Sequence, residues 1–180
     1  MKYVATIIAA LMSLSAQAEL SKEVVERWVH SLQPVQTWVE NNGDKINKHD
    51  LLRADAKGMS GMFDNALAEL ERVGLKESFT TTITKQGYTS AEHWAAESSE
   101  VTLAYLAVSM QGKVPSREAL EQQLAQVSAS QLPQAQKQMM QDMLKGTLSM
   151  LDDVQTVSDS DKALISPYIE KISGHLKHGH

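Results

Sequence analysis

The chain contains no cysteine. That absence excludes disulfides, iron–sulfur clusters, thiolate zinc sites and cysteine nucleophiles. It also excludes the lipid-bearing cysteine of a bacterial lipoprotein. Aromatic residues are scarce, at 5%, so the few large rings are expected in the core, where they bury the most surface. There is no basic excess: 17 Lys and Arg stand against 22 Asp and Glu, a net charge of −5. Phosphate-backbone binding runs on such an excess, so nucleic acid is not an expected partner. Beyond residue 18 no stretch approaches the roughly 20 apolar residues of a membrane helix, so no stable membrane insertion is expected.

Chemical motifs are missing as well. The sequence has no His-Glu-x-x-His, no Gly-x-Ser-x-Gly, no phosphate-cradling glycine loop and no complete EF-hand. It has no Glu-x-x-His, of which a di-iron bundle needs two. No enzyme activity and no cofactor are therefore expected.

What is present begins with a leader pattern. Lys2 supplies a positive start, Tyr3 to Leu14 an apolar run, and Ala16-Gln17-Ala18 a small-x-small cleavage site. Residues 1–18 read as a secretory signal peptide, which implies a periplasmic protein with a mature start at Glu19. Residues 19–180 read as one all-α domain. A chain of that length buries roughly 70% of its unfolded surface and can form a core without disulfides.

The periodicity is helical almost throughout, and a compact bundle of six to seven amphipathic helices is expected. Ser21 caps a helix carrying Val24, Val25, Trp28, Val29, Leu32, Val35, Trp38 and Val39. Pro34 lacks an N–H and crowds the carbonyl of His30, so a kink or break is expected there. Residues 44–60 are polar and read as a loop or weak helix. Met62, Phe63, Ala66, Leu67, Leu70 and Val73 mark the next helix, with Gly74 past its end.

Residues 75–86 are ambiguous. Phe79, Thr81 and Ile83 alternate like a strand, whereas Leu75, Phe79 and Ile83 fit i, i+4, i+8. No second strand offers itself as a partner, which favours helix. Thr89-Ser90-Ala91-Glu92 reads as a capping box before a central helix with Trp94, Ser98, Val101, Tyr105 and Val108 on one face. A further helix starts at Ser116. A long one follows from Pro133, with Met139, Met140, Met143, Leu144, Leu148, Leu151 and Val154 as its apolar positions. The last is capped around Ser158, and Pro167 is expected to distort its early part.

Three groups of side chains invite a functional reading. His175, His178 and His180 place three imidazoles in a short polar tail, a donor set for Zn, Cu or Ni. Met59/Met62 and Met140/Met143 are Met-x-x-Met spacings whose thioethers suit Cu(I), although Met139, Met140 and Met143 stand among leucines at core spacing. Glu26/His30 and His93/Glu97 are i, i+4 pairs able to meet on one helix face. Trp28 and Trp94 are expected in the core. Trp38 falls off the Trp28/Leu32/Val35/Val39 line and is the candidate for a partly exposed ring that contacts a partner.

Trp28, Val35-Gln36-Thr37-Trp38, Gly87-Tyr88, Trp94-Ala95, Ala104-Tyr105 and Ser166-Pro167-Tyr168 together resemble an uncharacterised group of small secreted helical proteins of Gram-negative bacteria. That resemblance implies a periplasmic helical fold and no activity. Leu132-Pro133-Gln134-Ala135-Gln136 is similar to the Leu-Thr-x-x-Gln motif of the Spy/CpxP periplasmic chaperones, with Pro133 in place of the threonine and no second copy. The expectation is a non-catalytic periplasmic protein working through protein contacts, chaperone-like or related to envelope stress. A periplasmic metal-binding protein using His and Met is the alternative.

Overall fold

The computed structural model describes residues 20–46, 58–113 and 115–177. The stretch 1–18, expected to be a signal peptide, lies outside them, as do His178 and His180. The described residues form α1 (Lys22–Asn42), α2 (Gly58–Arg72), α3 (Lys76–Thr84), α4 (Ala91–Ser109), α5 (Arg117–Ala129), α6 (Gln134–Gln155), α7 (Asp159–Ile165) and α8 (Ile169–Lys177). A 3-10 turn over Ser166–Tyr168, with Pro167 inside it, runs α7 into α8. The two make one bent unit, so the fold is an all-α arrangement of seven helical units, with no strand among the described residues.

The helix boundaries follow from caps. Ser21, Ser116 and Ser158 each accept a backbone N–H three residues on, at 3.2, 3.3 and 3.0 Å. At α4 the cap is Ser90, which accepts from the His93 N–H at 3.1 Å, one residue later than Thr89 was expected to cap. Gly74 and Gly87 take φ of +72° and +90°. Each closes its helix with a pair of bonds: Gly74 N–H to the Glu71 carbonyl at 3.1 Å with Leu75 N–H to the Leu70 carbonyl at 2.8 Å, and Gly87 N–H to the Thr84 carbonyl at 3.1 Å with Tyr88 N–H to the Ile83 carbonyl at 3.4 Å.

The ambiguous stretch is helix. Leu75, Phe79 and Ile83 are all buried on one face, while Thr81 points outward. The threonines are accommodated because their hydroxyls bond back to the preceding turn: Thr80 to Lys76, Thr81 to Glu77 and Thr82 to Ser78, at 2.8, 3.0 and 3.1 Å.

The expected break at Pro34 does not occur, since α1 continues through it to Asn42. Its two ends are held by separate cores. Val25, Trp28 and Val29 pack with Val101, Ile165 and Ile172. Trp38 packs with Leu67, Leu70, Phe79 and Ile83. Packing at both ends outweighs one missing hydrogen bond.

α4 is the central element and packs against α1, α2, α3, α6 and α7. Its buried line is Ala91, Ala95, Ser98, Val101, Ala104 and Ala107. Small side chains allow several helices to approach one axis, and a line of bulky residues would hold them apart. α5 packs chiefly on α6, which itself leans on α2 and α4. The hairpin has its own small core of Leu120, Val127, Leu144 and Leu151.

Candidate functional site

Trp38 is not the partly exposed ring that its place off the Trp28/Leu32/Val35/Val39 line suggested. It is 7% exposed, packs edge-on against Phe79 at 5.1 Å, and donates its Nε1–H to Ser78 Oγ at 3.0 Å. The helical-wheel reading failed because α3 covers the side of α1 that Trp38 occupies. Trp28 is buried as expected, with its Nε1–H on Ser98 Oγ at 2.9 Å. Trp94 donates to Ser31 Oγ at 3.2 Å.

Of the three tail histidines only His175 falls among the described residues, half-buried near the end of α8, where it borders a surface depression with Gln33, Gln36 and Glu170. Among the described residues no group of three His, Asp or Glu side chains is disposed to hold a metal. Met59 is buried at the start of α2, and its backbone N–H donates to Asp153 Oδ2 of α6 at 3.3 Å.

The two carboxylate–histidine pairs diverge. Glu26 turns to Tyr168, whose hydroxyl donates to it at 3.1 Å, and to Lys22 at 3.7 Å. His93 and Glu97 do meet, with Nε2 and Oε1 2.9 Å apart. His93 Nδ1 lies 2.9 Å from Thr89 Oγ1 and 3.4 Å from the Thr89 backbone nitrogen; in the tautomer that lets Nδ1 accept, Nε2 carries the proton toward Glu97. Hydroxyl, imidazole and carboxylate thus stand in the order of a nucleophilic relay.

The carboxylate is already engaged, however. Arg27 forks onto both Glu97 oxygens, with Nε to Oε2 at 3.2 Å and its terminal nitrogen on Oε1. The bonded Glu97 carboxylate holds the Arg27 guanidinium above its usual pKa. The guanidinium competes with the imidazole for the same carboxylate. The cluster ties α1 to the first turns of α4.

Tyr88 lies under this cluster. The Arg27 guanidinium sits 5.2 Å from its ring centre, and His93 packs edge-on at 5.6 Å. Its hydroxyl is buried beside Ser31 and Arg27 without a well-formed hydrogen bond among the described residues. Burial, then the Glu97 charge, push its pKa up to about 12.

The contrast comes at the hairpin. Met139 and Met143 are 67% and 63% exposed, Met140 36% and Leu132 38%. Core spacing placed these methionines inside; the structure leaves them on the surface. Leu144 and Leu151 fill the seam between α5 and α6 and leave the adjoining face uncovered. The hairpin end is held by Lys137 Nζ on the Ser128 carbonyl at 3.3 Å and Gln141 Nε2 on Ser128 Oγ at 2.9 Å. Glutamines 131, 134, 136, 138 and 141 are interspersed with these methionines along the chain, together with Lys137 and Asp142. The Met-x-x-Met spacing was visible in the sequence; its exposure was not, because periodicity does not say which helix covers a face.

The sequence matches no protein-family model, and neither characterised proteins nor solved structures give a match.

Proposed function

We propose that the chain is a non-catalytic periplasmic protein that holds apolar stretches of other, incompletely folded polypeptides against the thioether face of α6. One observation carries this reading. Of the five large apolar side chains found exposed among the described residues, four lie between Leu132 and Met143. Methionine is flexible and polarisable, which suits a surface that must fit many sequences. The glutamines of the same stretch add uncharged hydrogen-bonding groups. Among the described residues no helix is long and apolar enough to cross a membrane. The leader pattern supports export, which requires an intact mass beginning at Glu19; retention of Met1 in the exported protein would refute it.

The test is suppression of aggregation. Stoichiometric protein without ATP should keep an unfolding client enzyme in solution, and Met139→Gln with Met143→Gln should remove most of that protection at unchanged helicity. No protection by the wild type, or full protection by the double variant, overturns the reading. The same exposed thioethers favour a second one, Cu(I) handling, because soft donors select a soft ion. Competition against a chromophoric Cu(I) chelator separates the two. Tight Cu(I) binding lost in the methionine variant, with no client protection, supports metal handling. Binding lost only on deleting residues 175–180 assigns it to the histidine tail.

A further inference from the structure

An apolar cavity of about 210 Å³ lies between α1, α2, α3 and α4. Trp38, Phe63, Phe79 and Trp94 stand around it. They form a chain of edge-to-face contacts, with Trp38–Phe79 at 5.1 Å, Phe79–Trp94 at 5.0 Å and Trp94–Phe63 at 5.7 Å. The chain has only two Phe and three Trp, so both phenylalanines and two of the tryptophans surround one void.

The chemistry of the walls selects the occupant. Both indole N–H groups are already engaged, on Ser78 and Ser31. Every residue lining the cavity is apolar apart from those two groups. Among the described residues a molecule entering it finds no free hydrogen-bond partner, so a buried polar group of its own is left unpaired. The volume is too small for a partner helix and somewhat larger than the roughly 150 Å³ that holds benzene in an apolar protein cavity. Ring edges and faces on several sides favour an aromatic guest. Val39, one of the residues lining it, is 40% exposed.

We infer that this cavity is a binding site for a small, uncharged aromatic molecule, one ring with at most a short alkyl group. The site is distinct from the α6 face and does not depend on its role. Toluene is the probe, added to the full chain. It should raise the melting temperature by a few degrees at saturation and perturb tryptophan fluorescence. Benzyl alcohol, similar in shape but with a hydroxyl, should bind at least tenfold more weakly. Ala66 lines the cavity, so Ala66→Phe should grow into it and abolish the toluene response at unchanged helicity. If that variant fails to fold, Ala66→Leu decides, with a loss of at least tenfold in affinity. No response in the wild type, benzyl alcohol binding as tightly as toluene, or an undiminished response in the filled variant overturns the assignment.

Discussion

The helices around α4 and the α5–α6 hairpin use the same amphipathic pattern and bury it differently. In the first region each helix has neighbours on more than one side. α1 alone contributes Val25, Trp28 and Val29 to one core and Trp38 to another. In the hairpin, two helices share a seam of four buried residues, supported by Leu124 and Leu148. A residue beside the first seam is covered by the next helix; a residue beside the second meets water. On a helical wheel Trp38 looks peripheral and Met143 falls at core spacing, yet Trp38 is 7% and Met143 63% exposed. Exposure here is decided by how many helices surround a given axis.

Substitutions can break this comparison. The largest effect is expected in the aromatic core: Phe79→Ala, at a position 3% exposed, should cost about 3–5 kcal/mol. Leu144→Ala, in the hairpin seam at 7% exposed, should cost about 2 kcal/mol, the low end for a buried leucine, because a thin seam can partly collapse. Urea melts give both numbers, and hydrogen exchange gives their spread. Exchange should accelerate across the helices around α4 in the first case and mainly over residues 117–155 in the second. Equal costs with identical exchange patterns would mean that the hairpin is no separate layer of stability.

A smaller effect sharpens the description of the α1–α4 contact. Tyr88 ionises at about 12 in the fold, against 10.0 for an unperturbed phenol. Its folded pKa is the higher one, so between these values the unfolded chain has lost a proton that the folded chain retains. Its contribution is therefore complete below about pH 10 and lost as the pH rises through about 12. Tyr88→Phe should flatten that part of the stability curve. Below pH 10 it should leave stability unchanged or raise it by up to about 1 kcal/mol, since the buried hydroxyl has no well-formed bond to lose. A loss of 2 kcal/mol at neutral pH would show that the hydroxyl is bonded after all.

The smallest effect belongs to the hairpin surface. Met139→Gln and Met143→Gln should each change stability by less than about 0.5 kcal/mol, as exposed positions do. A larger loss would place these thioethers against something within the fold and remove the surface on which the proposed function rests.

Much of the local structure was determined by the sequence alone. Serines at 21, 116 and 158 start helices because a hydroxyl can satisfy an orphan amide, and Gly74 and Gly87 end them because a left-handed residue costs glycine little. The apolar spacing of Leu75, Phe79 and Ile83, with no strand to pair against, made residues 76–84 helical. Those features depend on a few neighbouring residues, so they are legible along the chain.

Only the tertiary structure decided which faces were covered. It continued α1 past Pro34, placed Trp38 in the core, drew His93 and Glu97 under Arg27, and left the α6 methionines in water. It also set four rings around one cavity from segments as far apart as residues 38 and 94. Periodicity orients a side chain only about its own helix axis. What meets that side chain depends on helices distant in sequence, whose placement follows from the packing of the whole chain.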